Sequence, residues 1–242
     1  MNMRSEVLRK LFGSGGARLA LLGVLALGAP FAAKAQENPE GANFRTGLGM
    51  THLKFVDRSA STSTHDFAIV DFGASKSFGG FFVGFDTELP FNQGGTPTNN
   101  ETIQTVVGDL TVGYAFFNKL SVFGGWHYAK YDFWRNGQLF TRNTDRGPYL
   151  GLGYAFALGK SGQLSASAAY GSFDSDSGAG PGTSTGTSLS LTWADDFRHG
   201  LGYYVRLRVL DYNFELDSDV VPPSGGRDVK KTVTTLAVGL LY

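Results

Sequence analysis

From Gly79 to Asn92 the chain reads GGFFVGFDTELPFN. Phe81, Val83, Phe85, Thr87, Leu89 and Phe91 fall on one side of an extended backbone, and Phe82, Gly84, Asp86 and Glu88 fall on the other. A period of two is the signature of a β-strand. The same pattern returns in Leu150, Leu152, Tyr154, Phe156 and Leu158 against Gly151, Gly153, Ala155 and Ala157. It returns again in Leu201, Tyr203, Val205, Leu207 and Val209 against Gly202, Tyr204, Arg206 and Arg208. One face is bulky and apolar, while the opposite face is small, polar or charged. Arginines on the second face exclude a core dry on both faces; the alternative is a secreted soluble β-sandwich, whose exposed faces would be polar rather than rich in Phe and Leu.

Counting every segment of this kind gives ten candidate strands, at 43–57, 63–77, 79–92, 101–117, 119–134, 146–158, 162–174, 184–195, 200–216 and 229–242. The connectors alternate. Short ones follow strands two, four, six and eight; long ones, rich in Gly, Pro, Asn, Asp and Ser, cover 58–62, 93–100, 135–145, 175–183 and 217–228. Short turns at one end and long loops at the other, with an even strand number, predict an all-β, closed antiparallel transmembrane β-barrel. The physical reason is that lipid offers no partner to a free strand edge, so the sheet must close and turn its apolar side chains outward. Eight strands is the alternative if the first hairpin, the least regular of the set, does not pair. Aromatic residues gather where interfacial girdles belong: Phe44, Phe78, Phe116, Phe117, Phe156, Trp193, Phe197, Tyr203 and Tyr242 at the turn end. At the loop end they are Phe91, Tyr128, Phe133, Trp134, Phe173 and Phe214.

Residues 1–35 read as a secretory signal peptide. Arg4, Arg9, Lys10 and Arg18 precede an apolar run from Leu19 to Ala29, and Ala33-Lys34-Ala35 forms an A-x-A cleavage site. That run is too short to cross a hydrocarbon core. The mature barrel domain is then 36–242, with 38–41 as a short periplasmic lead-in, and the chain is exported through the periplasm. Removing the five basic and one acidic side chains of the signal from totals of 21 and 21 leaves 16 and 20, a net charge of −4, so nucleic acid is not an expected partner. With no Cys there is no disulfide framework, thiolate metal site or Cys nucleophile.

The chain resembles a small outer-membrane β-barrel protein of Gram-negative bacteria. The resemblance rests on the alternation, on the turn and loop asymmetry, and on Thr235-Leu236-Ala237-Val238-Gly239-Leu240-Leu241-Tyr242, which is similar to the C-terminal assembly signal of that class. Ala237 stands where that signal usually has Gly. The resemblance implies outer-membrane lipid and lipopolysaccharide as surroundings. It also implies the outer-membrane assembly machinery as a partner, reached through the segment ending in Tyr242. Lys54, Arg58, Lys130, Arg142 and Arg146 lie towards the loop end, where lipopolysaccharide phosphates meet cations.

If the apolar faces meet lipid, the lumen receives Asp71, Asp86, Glu88, Asp109, His127, Tyr131, Tyr204, Arg206 and Arg208. These acids and arginines predict an internal charge network. Lining a narrow passive pore for ions or small solutes, Arg206 and Arg208 would set its ion preference. Most other inward residues are Gly, Ala or Ser, which leave space that water or Phe67, Phe82, Phe123 and Tyr204 can fill. A structural or surface-binding barrel acting through its loops is a second reading. A third is an outer-membrane hydrolase at the barrel rim, because ten strands is also the count of the omptin proteases. Their Asp-His motif has no residue-by-residue match here. The nearest constellation is His127 with Asp109 and Asp86 or Glu88, with His65 as a further candidate; a carboxylate beside an imidazole fixes its tautomer and suits it as a base. Ser121, six residues before His127, is not a paired nucleophile. Acidic loop runs such as Asp174-Ser175-Asp176 read as solvated turns rather than Ca²⁺ ligands. The sequence holds no phosphate loop, haem motif or metal cluster, and His52, His65, His127 and His199 are scattered, so neither cofactor nor metal is expected.

Overall fold

A computed structural model describes residues 42–57, 62–91, 94–96, 101–116, 119–158, 161–177, 180–198, 201–216 and 228–242. The signal peptide, the lead-in and the loop stretches 58–61, 97–100 and 217–227 lie outside the described residues.

The strands are β1 (Ala42–Asp57), β2 (Thr62–Phe78), β3 (Phe81–Pro90), β4 (Gly94–Thr96), β5 (Glu101–Phe116) and β6 (Leu120–Arg135). They continue with β7 (Gln138–Leu158), β8 (Gly162–Ser177), β9 (Gly180–Arg198), β10 (Leu201–Leu216) and β11 (Asp228–Leu241). Each pairs antiparallel with its neighbours; β3 and β4 both pair with β5 and form two stretches of one barrel strand. The sheet therefore closes as ten strands. Strand β1 joins β11, and at the turn end Phe44 and Tyr242 exchange backbone hydrogen bonds of 3.0 and 2.8 Å. The first hairpin pairs without a break from Ala42 opposite Lys76 to Val56 opposite Thr62, which removes the eight-stranded alternative.

The register fixes the barrel's width. Following partners once around the wall leads from Asp145 through Ala129, Val107, Glu88, Asp71 and Gly47. It then passes through Gly239, Tyr204, Ala194 and Gln163 and returns to β7 at Ala157, a shear of twelve residues. With strands ~4.8 Å apart and ~3.3 Å per residue, that stagger tilts the strands by about 40° and gives a backbone radius of about 10 Å. Such a lumen admits side chains from all sides and little more.

Outward positions carry an exposed apolar belt that includes Leu48, Val83, Leu110, Val122, Leu150, Leu189, Leu207 and Val238. Towards the turn end the belt is edged by aromatic contacts: Phe81–Tyr114–Phe116, Tyr154–Phe156 and Trp193–Tyr203–Phe197. The loop-side aromatics need correction. Trp126, Tyr128 and Tyr170 face outward, but Phe173 and Phe214 are buried inside and Phe133 packs against the inner cluster. Phe173 and Phe214 share the parity of inward Gly171 and Arg208, so alternation turns them to the lumen.

Two segments read as loops are strand. β7 begins at Gln138 and not at 146, and β8 and β9 are separated only by residues 178–179. The β6–β7 hairpin turns at Asn136 and Gly137, both with positive φ (51° and 78°), the geometry of a two-residue primed turn. Outside lipid a strand has no need of apolar outward residues, so its alternation loses contrast although its pairing continues.

Candidate functional site

The turn-side half of the interior is polar and the loop-side half is apolar. Along β10 the inward residues run Tyr204, Arg206, Arg208, Leu210 and Tyr212, and β2 and β5 change in the same sense, from Asp71 to Ile69 and Phe67 and from Asp109 to Val107 and Ile103.

Arg206 donates through Nη2 to Asp71 Oδ1 at 2.6 Å and to Glu88 Oε1 at 3.0 Å. Arg208 reaches Glu88 Oε1 at 3.4 Å through Nη1 and Asp109 Oδ2 at 2.5 Å through Nη2. Arg45 pairs with Asp86 and, at 3.4 Å, with Asp71. Tyr204 Oη donates to Asp71 Oδ2 at 2.6 Å, and Thr235 Oγ1 donates to Glu88 Oε2 at 3.1 Å. The buried arginines and their carboxylates are thus each held by more than one partner, the condition for keeping an ion in a low-dielectric interior. The six network residues read from the sequence, Asp71, Asp86, Glu88, Asp109, Arg206 and Arg208, meet in one ladder across the lumen. Arg45 was missed, although Leu48 and Met50 on the lipid side give its parity.

His127 ends the ladder. Its Nδ1 lies 2.6 Å from Asp109 Oδ1 and its Nε2 lies 3.1 Å from Tyr212 Oη. A carboxylate only accepts, so Nδ1 carries a proton towards Asp109, and Nε2 shares its hydrogen bond with the Tyr212 hydroxyl. Both nitrogens are occupied, and the pair stands deep in the barrel wall rather than at its rim. Asp86 is on the adjoining strand and pairs with Arg45. His65 lies among Phe55 and Phe133, and Ser121 lines the lumen's turn end. Among the described residues no group of His, Asp and Glu has the arrangement of a metal site.

Above the ladder, Leu53, Phe55, Phe67, Ile69, Ile103, Val107, Ala129, Tyr131, Phe173, Leu210, Tyr212 and Val233 form one buried cluster. Lys231 reaches from β11 to Asp145 on β7, with its ammonium 5.4 Å from the Tyr131 ring centre and 5.8 Å from that of Tyr212. Ser175 and Ser184 donate to the same carboxylate at 2.5 and 3.2 Å. Among the described residues this layer occupies the interior at the loop end.

Below it, space remains along β7, β8 and β9, whose inward residues are small. A cavity of about 240 Å³ is bounded by Arg45, Asp86, Asp109, His127, Arg206 and Arg208 on one side and by Ser167, Ser188, Ser190 and Thr192 on the other. It continues towards the turn end into a space of about 280 Å³ that shares Asp86, Thr111, Phe123 and Ser167 and reaches Lys119 and Ser121. Phe82, Phe123 and Tyr204 pack against glycines: a Cβ at Gly151 or Gly239 would come within 2.5 or 2.7 Å of the Phe123 or Tyr204 ring, and one at Gly113 would collide with the Phe82 ring.

On the outer wall, Lys130 Nζ and Arg142 Nε lie 3.0 and 2.6 Å from Asp132 carboxylate oxygens. Two of the cations expected near lipopolysaccharide are therefore partly neutralised, Arg146 is exposed, and Arg58 lies outside the described residues.

No protein-family model and no curated protein matches the chain. Among solved structures it is similar to the outer-membrane protease OmpT from Escherichia coli, at 12% identity over 85% of this chain and 97% of that one, with a TM-score of 0.57. The chain has the fold of an outer-membrane β-barrel. Slighter likenesses are to the β-domain of the Bordetella autotransporter BrkA (12% identity, 83% and 99% of the two chains, TM-score 0.46) and to the outer-membrane protein OprG from Pseudomonas aeruginosa (12%, 86% and 98%, TM-score 0.37).

Proposed function

We propose that this is an integral protein of the bacterial outer membrane whose barrel is a narrow, charge-lined passage for ions or small solutes, closed at its loop end by the aromatic layer. The observation that carries this reading is the polar cavity: it runs from the turn end beside the ladder and stops beneath Phe173, Leu210 and Tyr212. A barrel serving only as a scaffold gains nothing from an unfilled polar interior, since unfilled space forfeits packing. Bound through the loop end, a solute would first have to displace the layer.

The test is conductance in planar bilayers of the refolded mature protein and of a Tyr131→Ala, Phe173→Ala double variant. The parent is expected to be silent or to open rarely, and the variant to conduct in discrete steps. A double variant that is folded by circular dichroism yet silent overturns the passage. The second reading, a surface-binding barrel, would then stand on the β6–β7 hairpin, which carries exposed Leu139 and Phe140 beyond the apolar belt.

A further inference from the structure

We infer that the upper edge of β7 is a docking site for an extended, acidic and apolar segment of another protein, which adds to it as an antiparallel strand. This goes beyond the passage and does not depend on it. Strand β7 is 21 residues long and pairs with β6 as far as Gln138 opposite Arg135. On its other side β8 ends at Ser177, and the pairing stops at Thr144 opposite Asp176. Among the described residues, Gln138 to Asn143 therefore have no strand on that side. Every second residue there turns its N–H and C=O outward along the sheet, a row of donors and acceptors open to an incoming strand. The tight turn at Asn136 and Gly137 keeps β7 extended to its end.

The charges on this face say what that strand carries. Where β8 still covers β7, exposed Asp174 stands opposite exposed Arg146, and Asp176 stands opposite Thr144. The next outward residues of β7 are Arg142 and Phe140, with nothing opposite them. Arg142 and Lys130 share the single carboxylate of Asp132, so one positive charge is left over. Phe140 is 63% exposed, and the Arg135 guanidinium lies 4.2 Å from its ring centre, a contact that steadies the ring as a platform. A strand that continues the pattern of β8 presents an acid opposite Arg142 and, two residues later, an apolar side chain opposite Phe140.

Height favours a protein over lipid phosphates. Leu150 closes the exposed apolar belt on β7. At ~3.3 Å per residue and a tilt of about 40°, Asn143 stands about 18 Å and Gln138 about 30 Å above it. A headgroup layer is only roughly 5–8 Å deep. Charge points away from a second copy. Two barrels in one membrane share its normal, so their β7 edges would meet in parallel and set each Arg142 against its counterpart, a pairing of like charges that destabilises.

The experiment titrates the refolded protein, in uncharged detergent micelles, into the rhodamine-labelled peptide Ser-Thr-Glu-Val-Phe-Val-Thr-Ser and follows its fluorescence anisotropy above an empty-micelle baseline. Saturable binding is expected, with slowed amide exchange at alternate residues of 138–143. Two further forms of the peptide, N-methylated on alternate residues of one parity or the other, separate strand addition from side-chain contact. The form methylated on the amides that face the edge should not bind, and the other should. Arg142→Gln, or Gln in place of the peptide's Glu, should weaken binding by roughly two- to fivefold, the range of one exposed ion pair. Failure of the unmodified peptide to bind at about 1 mM, or an equal effect of the two methylations, overturns the inference. So does protection of the same amides by self-association without peptide, which would make a second copy the occupant. Protection by lipopolysaccharide micelles and not by the peptide overturns it in favour of lipid.

Discussion

Arg208 on β10 and Asp109 on β5 meet with Nη2 and Oδ2 2.5 Å apart, although 99 residues separate them and their strands stand diametrically opposite in the ten-stranded wall. The guanidinium therefore ties the two sides of the barrel through its middle. Arg208→Met leaves Asp109 and Glu88 with fewer donors in a low-dielectric interior, and removing one partner of a buried pair costs roughly 3–5 kcal/mol. Urea unfolding in phospholipid vesicles should show a loss of that order. Adding Asp109→Leu to Arg208→Met should recover part of it, because the stranded charge goes too. A double variant whose loss equals the sum of the two singles would mean that the two residues act independently.

Tyr204 holds Asp71 only because two glycines leave room for its ring. A Cβ at Gly47 would collide with Tyr204 Oη and with the backbone of Val238, and Gly239 receives the ring edge from the other strand. Gly47→Ala should therefore cost about 1–3 kcal/mol through overpacking and displace the Tyr204 hydroxyl from Asp71. Gly84→Ala is the control, since its nearest neighbours would lie at ordinary contact distance, 3.7 Å. Equal losses in the two variants would show that the cost is general to glycine in these strands.

The barrel was legible because lipid imposes a contrast that alternation displays directly, Phe81, Val83 and Phe85 against Phe82, Gly84 and Asp86. Parity alone also set the inward direction of Asp71, Arg206 and Arg208. It could not give their partners, because which strands face each other across the lumen depends on the shear, a property of all ten pairings together. The plug was illegible for the same reason. Phe173, Tyr131 and Tyr212 are inward aromatics on three separate strands, β8, β6 and β10, and only the stagger brings them to one level. Phe173 was mistaken for a girdle residue by its place near a strand end, where its parity should have ruled. The strand extensions past the membrane were missed because the outward residues of Arg142 to Arg146 are polar, which resembles a loop when the outer solvent is taken to be lipid.

The Asn136-Gly137 turn makes a separate test of those extensions. Gly137 has φ +78°, and a side chain in that left-handed region costs roughly 1–2 kcal/mol. Gly137→Ala should lower amide protection in the upper part of β6 and β7 by about that amount in hydrogen exchange. Protection below Tyr128 should hold, because there the strands are part of the closed wall. A uniform loss along both strands would mean that the hairpin and barrel unfold as one unit.

Asp132 gives the hairpin a pH dependence of definite sign. Its partial burial raises the carboxyl pKa, but hydrogen bonds and charge from Arg142 and Lys130 outweigh burial and hold it below the ordinary carboxylate value. A carboxylate depressed in the folded state contributes stability that is fully present above its unfolded pKa of about 3.9 and is lost as pH falls through the lower folded value. The contribution is small because Arg142 is exposed to solvent and salt. Carboxyl carbon shifts followed by NMR should place the Asp132 midpoint below the ordinary carboxylate value, and Arg142→Gln should move it upward. A midpoint that ignores Arg142→Gln would mean that the 2.6 Å contact between Arg142 Nε and Asp132 Oδ1 does not persist in solution.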